Sequence, residues 1–153
     1  MRPPTIIAPG LVAGRHPCAL GADEAEQAVA ALVAQGVTLF VDLTEDGELA
    51  PYSQLVPAGA RRLTWPIRDL SCPAREDLVQ VLDAIDAEVA AGGLVYLHCW
   101  AGCGRTGVVA GCWLVRHGAE PHDALARIAE TRGPGCPQTL EQRLAILAWQ
   151  TGE

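Results

Sequence analysis

Leu94-Val95-Tyr96-Leu97-His98-Cys99-Trp100-Ala101-Gly102-Cys103-Gly104-Arg105-Thr106-Gly107 is the stretch on which the fold and the chemistry turn. Leu94 to His98 is a short apolar run of the kind that forms a buried central strand. Glycines 102, 104 and 107 permit a tight turn, and an almost uncharged helical pattern follows from about Arg105 to His117, with Gly118 after it. A strand entering a helix through such a turn aims consecutive backbone N–H groups into one concavity, where the helix dipole favours a dianion. In an open α/β sheet that place, outside the carboxyl end of a central strand, is where ligands bind. Cys99 lies at its floor, and the donors and Arg105 around it favour the thiolate. Arg105 closes the loop with a planar fork suited to two phosphate oxygens. The chemistry suggested is nucleophilic attack by sulfur on phosphorus.

Outward from this junction, helix and strand alternate without repeats or long linkers. Leu11–Gly14 reads as a short edge strand. Asp23–Gln35 carries Ala25, Val29, Leu32 and Val33 at helical spacing and stops at Gly36. Val37–Leu43 is an apolar strand, Thr44–Ala60 a loop with one helical turn near Tyr52–Val56, and Leu63–Ile67 a third strand. The loop Arg68–Cys72 leads to Pro73, expected to open a helix that runs to Ala91, with Leu78, Val81, Leu82, Ile85 and Val89 as its stripe. Two last helices are expected over Pro121–Thr131 and Thr139–Gln150. The β-α-β succession implies an α/β fold with a mostly parallel central sheet of four or five strands and helices on both faces. Its 153 residues form one domain, 1–153.

Composition narrows the partners. The 11 Lys+Arg are all arginine against 18 Asp+Glu, so the chain is acidic at −7 with no basic run. Nucleic acid and anionic membrane both need a concentrated positive footprint and are not expected as partners. The longest apolar uncharged run, Gly107–Val115, is too short for a bilayer. Pro3, Pro4, Pro9 and Gly10 interrupt any leader-like core, so a cytoplasmic setting is expected; the absence of lysine beside abundant Ala, Gly and Arg points to a bacterial, GC-rich source. Cysteines 18, 72, 99, 103, 112 and 136 are then expected as free thiols. Cys99, Cys103 and His98 have half-site spacing for zinc, but no second pair completes it, and no metal or cofactor is expected.

The run His98-Cys99-x5-Arg105-Thr106-Gly107 resembles the signature of cysteine-dependent protein tyrosine and dual-specificity phosphatases, the CX5R superfamily. Trp65-Pro66-Ile67-Arg68-Asp69 resembles the general-acid loop of the small dual-specificity types, thirty residues before Cys99, although the Trp-Pro-Asp tripeptide of the large enzymes is absent. Pro137-Gln138-Thr139-x-x-Gln142 resembles the segment with the water-positioning glutamines; Gly10–Gly14 and Val41–Glu45 resemble the opening of small bacterial members. The resemblance implies a metal-independent, two-step phosphomonoesterase working through phosphocysteine. Cys99 would attack and Asp69 would protonate the leaving oxygen. Gln138, with Gln142, would place the hydrolytic water. The loop Cys99, Trp100, Ala101, Gly102, Cys103, Gly104 and Arg105 would hold the phosphoryl oxygens, Thr106 would steady the thiolate, and His98 would support the loop through a bond to backbone.

Other roles compete for several of these residues. Asp69 is also placed to cap the helix near Pro73, with Glu76 and Asp77 as fallback acids, and Thr139-x-x-Gln142 is also a capping box. His16, His117 and His122 show no partner pattern, Trp113 reads as core, and Cys72 or Cys103 could trap an oxidised Cys99. Phosphoinositide phosphatases of the superfamily tend to carry lysines where this chain has Trp100 and Cys103, which favours a phosphorylated protein or small phosphomonoester. The competing functions are an inositol-phosphate or other small-molecule phosphatase, a catalytically weak phosphate-binding module, and redox enzymes of rhodanese or arsenate-reductase type.

Overall fold

In a computed structural model that describes residues 2–153, the strand ending at the cysteine runs through the middle of a five-stranded sheet. The strands are β1 (Thr5–Ala8), β2 (Leu11–Gly14), β3 (Leu39–Asp42), β4 (Arg61–Thr64) and β5 (Val95–His98). The helices are α1 (Ala22–Ala34), α2 (Arg75–Ala90), α3 (Gly104–Arg116), α4 (Pro121–Arg132) and α5 (Leu140–Ala148). The spatial order is β1-β2-β5-β3-β4, and only the β1–β2 pair is antiparallel. The register sets Gly14 and Asp42 on either side of His98, so three strand ends meet at the root of the glycine-rich loop.

The period of two along each strand divides the core. Leu11, Ala13, Leu39, Val41, Val95 and Leu97 face α2, α3, α4 and α5. Val12, Phe40 and Tyr96 face the other way, where α1 covers them with Ala25, Val29 and Leu32. Helix α3 is nearly uncharged because α4 and α5 pack over its outer side and bury most of its length. No helix among the described residues is long and apolar enough to cross a membrane.

The main departures from the sequence expectation lie at the two sheet edges and at the start of α2. Leu11–Gly14 is not an edge strand: β1 lies outside it, hidden in the sequence by Pro3, Pro4 and Pro9. Proline gives no ladder donor, and a four-residue strand at an edge tolerates prolines beside it. The opposite edge, β4, runs over Arg61–Thr64 rather than Leu63–Ile67, because an edge strand can carry the polar Arg61 and Arg62 and the chain leaves the ladder before Trp65. Helix α2 begins at Arg75: Pro73 precedes it, and Ala74 is still extended as its N-cap.

Candidate active site

Much of the Cys99–Arg105 loop is held from outside. Gly102 adopts φ +73, and a Cβ there would collide with the Gly14 backbone, so only glycine lets the turn lie against β2. Arg132, buried at the end of α4, donates from Nε to the Gly102 carbonyl at 2.7 Å and from Nη2 to the Ala101 carbonyl at 3.3 Å. Its Nη1 donates to the carbonyls of Pro3 and Ala13 and to Thr5 Oγ1, at 2.7, 3.3 and 3.1 Å. Loop carbonyls are thus drawn outward. The first helical bond runs from Gly107 N–H to the Cys103 carbonyl, so the amides before it have no partner within α3.

Cys99 is 3% exposed, directly after β5. Arg105 is 1% exposed, and its guanidinium is gripped on one side. Nη1 and Nη2 donate to the two carboxylate oxygens of Glu48 at 2.7 and 3.0 Å, and Nη1 also donates to the Ile67 carbonyl at 2.9 Å. Burial works against charge on both members of the pair. Their mutual hydrogen bonds prevail, holding Arg105 above and Glu48 below its ordinary pKa. Among the described residues, two buried side-chain polar atoms have no hydrogen-bond partner, Arg105 Nε and Thr106 Oγ1. Buried donors are rarely left unsatisfied, and these belong to adjacent residues at the end of an anion-shaped loop.

Asp69 is exposed, with Oδ1 3.3 Å from Arg105 Nη2. The same oxygen accepts the N–H of Leu70, which has φ +65, so Asp69 braces its own loop and caps no helix. Bonds from Trp65 N–H to the Asp42 carbonyl and from Ile67 N–H to the Leu43 carbonyl lash that loop to the end of β3. From the other side Gln138 reaches over the loop: a Cβ on Gly104 would lie 2.5 Å from Gln138 Oε1. Gln142 is fully buried. Its Oε1 accepts the N–H groups of Gln138 and Thr139 at 3.0 and 3.1 Å, and its Nε2 donates to the Ser71 carbonyl at 3.1 Å. The capping box is therefore formed, and the same amide ties the start of α5 to the Asp69 loop. Trp100, 44% exposed, stands at the rim.

Beneath the loop lies a polar cluster that the sequence did not announce. His98 Nδ1 lies 3.1 Å from the Cys99 carbonyl and Nε2 lies 2.5 Å from Tyr52 Oη. A carbonyl only accepts, so Nδ1 carries the proton and Nε2 accepts from the tyrosine. Burial pushes the His98 pKa down to about 4, leaving the ring neutral at pH 7. Asp42 is fully buried, at a cost to its charge, yet neighbouring His98, two bonds from Thr44 and the Arg62 guanidinium hold its pKa below the ordinary value. His16, expected at the surface or a helix end, is instead 2% exposed. Its Nδ1 accepts the Cys18 N–H, and its ring packs edge-on against Tyr52 and His98. His117 does sit at a helix end, paired with Asp86, and Trp113 is core.

The expectation of six free thiols is also corrected. Cys103 and Cys136 form a disulfide, leaving Cys18, Cys72, Cys99 and Cys112 free. Their sequence separation of 33 gives no local sign of the pairing, and Cys103 is thereby taken by Cys136 rather than by Cys99. Sequence reasoning also missed Glu48 and Arg132. Glu48 sits in an irregular loop with no signal. Arg132 had one, because it continues the buried stripe Ala124, Ile128 of α4 as a charged residue at a core position.

Residues 18–119 match the family described as "Tc-R-P: Polymorphic toxin system, DSP-PTPase phosphatase". The putative tyrosine phosphatase 067L of Invertebrate iridescent virus 3 is 41% identical over 85 residues, 52% of this chain and 34% of that protein, so this chain spans about a third of the viral protein. The crystal structure of Tk-PTP in the active form superposes with a TM-score of 0.79 at 30% identity, covering 94% of this chain and 92% of that one. A mouse putative dual specificity phosphatase complexed with zinc tungstate has a TM-score of 0.77 over 97% of this chain and 86% of its own; at 24% identity it speaks to the fold alone.

Proposed function

Because the chain belongs to the dual-specificity/tyrosine phosphatase (DSP-PTPase) family, we propose that residues 1–153 act as one phosphatase domain that hydrolyses phosphomonoesters through a phosphocysteine on Cys99. The observation that carries this is a pair of orphaned buried atoms: Arg105 Nε, on a guanidinium already anchored by Glu48 and Ile67, and the neighbouring hydroxyl Thr106 Oγ1. An anchored fork with one edge unspent fits the equatorial oxygens of a phosphoryl group. In the first step the Cys99 thiolate attacks phosphorus, the ester P–O bond breaks, and the carboxyl of Asp69 gives its proton to the departing oxygen. In the second step a water held by Gln138 attacks phosphorus and gives a proton to the Asp69 carboxylate. The S–P bond breaks, returning thiolate and releasing phosphate. Thr106 steadies the thiolate. His98 and Tyr52 support the loop from below, and Gln142 positions Gln138 and the acid loop. Glu48 and Arg132 are positioning residues, acting through Arg105 and the loop carbonyls.

The substrate we favour is a phosphorylated protein, phosphotyrosine foremost, because neither Trp100 nor Cys103 offers the second positive charge that an inositol polyphosphate would use. The acidic surface at −7 supports a protein with no nucleic-acid or membrane partner. A bacterial origin and cytoplasmic setting rest on composition, and the Cys103–Cys136 bond argues for more oxidising surroundings. The test is hydrolysis of an aryl phosphate and a phosphotyrosine peptide in chelator, against the Cys99→Ala variant. Turnover in wild type alone is expected. Turnover in both proteins, or a strict preference for inositol phosphates, overturns the assignment or its substrate class.

A further inference from the structure

We propose that the Cys103–Cys136 disulfide is a clasp that holds Gln138 over the phosphate loop, so that the enzyme works fully only with this bond formed. The inference rests on the phosphatase reading and adds a redox requirement that lies outside Cys99. Each sulfur is two residues ahead of a side chain the reaction uses: Cys103 before Arg105, Cys136 before Gln138. Cys103 is the N-cap of α3 and makes no side-chain cap bond, so its side chain is free to tie the helix start to something else. The chain from Gly133 to Thr139 has no regular structure, with Pro134 and Gly135 exposed. Buried Pro137 packs beside Gly107 of α3, and Thr139 is bonded into the start of α5, while the hydrogen bonds of residues 136–138 stay within the segment or go to α5. Cys136 N–H bonds the Gly133 carbonyl, Arg143 holds the Pro137 carbonyl, and Gln142 takes the Gln138 N–H. None of these bonds reaches the phosphate loop. The covalent tie does, with the two Cα atoms 4.9 Å apart.

The chemistry balances with a small disulfide such as oxidised glutathione as oxidant. Thiolate exchange at Cys103 or Cys136 forms a mixed disulfide and releases one glutathione thiol. The second cysteine displaces the other, so two protein thiols become one S–S bond and the oxidant becomes two thiols. Because the clasp takes Cys103, that thiol is not available to capture Cys99. The loosened step is the second one, in which Gln138 must hold the water, and misplacing such a group costs rate without abolishing the first transfer.

The experiment compares three proteins: wild type treated with oxidised glutathione while inorganic phosphate shields Cys99, the same sample after reduction, and the Cys103→Ser/Cys136→Ser variant. Peptide mapping after denaturing alkylation is expected to find residues 103 and 136 linked and Cys99 free. Rapid-mixing kinetics with an aryl phosphate are expected to show a product burst in the reduced wild-type protein, with a steady rate about tenfold lower than in the oxidised protein and the burst rate within about twofold. Amide exchange, which needs no turnover, is expected to rise on reduction in 136–139 and 100–104 of wild type and to be insensitive to reduction in the variant. Absence of the linked pair, or unchanged exchange and kinetics on reduction, overturns the clasp. Turnover absent in every sample, with exchange still responding, overturns the phosphatase reading and leaves the clasp standing.

Discussion

Glu48→Gln is the substitution that most sharply separates a positioned arginine from a merely buried one. The Glu48 carboxylate accepts two charge-assisted bonds from Arg105, at 2.7 and 3.0 Å. Glutamine is isosteric but removes the charge and turns an amide N–H₂ toward one guanidinium nitrogen, a donor facing a donor. The fork is then left with one uncharged amide acceptor and the Ile67 carbonyl, 2.9 Å from Nη1, and is free to swing. A charge-assisted bond contributes about 1.5–3 kcal/mol. Glu48 is 16% exposed, so water recovers part of that, and we expect a net loss of about 2–3 kcal/mol in transition-state stabilisation. At about 1.4 kcal/mol per tenfold, kcat/KM for an aryl phosphate falls about 30- to 150-fold. Glu48→Asp keeps the charge at a shorter reach and should lose less. The assay is steady-state kinetics beside inhibition by inorganic phosphate, with circular dichroism to confirm folding. A folded Glu48→Gln protein with kcat/KM within about twofold of wild type would refute the claim that Glu48 aims Arg105.

Two further outcomes follow from the same geometry. Asp69→Asn should lower kcat by about 10²–10⁴-fold for a phosphotyrosine peptide and much less for an ester with a good leaving group, because the lost proton matters in proportion to leaving-group basicity; equal losses across leaving groups would remove Asp69 as the acid. The second concerns acid stability. His98 is held neutral, its pKa pushed from 6.5 to about 4 by burial, so the unfolded chain takes up a proton first as pH falls. Stability is full above about pH 6.5 and is lost toward pH 4, by about 2–3 kcal/mol at pH 4.5 in urea unfolding. His98→Asn should flatten that slope, and an unchanged slope would show that the acid loss comes from elsewhere.

What the sequence made legible was whatever is contiguous. Strand, loop and helix from Val95 to Arg116 could be read directly, because the apolar run, the glycines and the uncharged helix follow one another and each has a single physical use. The capping box at Thr139 and Gln142 was legible for the same reason. What could not be read is what tertiary packing brings together. Glu48 meets Arg105 across a separation of 57 residues from a loop with no periodicity, and Tyr52 meets His98 across 46. His16 looked like a surface residue because nothing local shows that β2 delivers it beside Asp42 and His98. The strand β1 was hidden because proline-flanked segments argue against a strand unless the strand is known to be an edge.

The central claim is that Cys99 becomes covalently phosphorylated during turnover. Wild-type protein mixed with an aryl phosphate, quenched in acid within a few turnovers and measured by intact and peptide mass spectrometry, should carry one phosphoryl group on the peptide containing Cys99. Gln138→Ala should accumulate more of it, and Cys99→Ser should form none. Turnover that proceeds with Cys99 unmodified, or that survives in Cys99→Ser, would contradict the account.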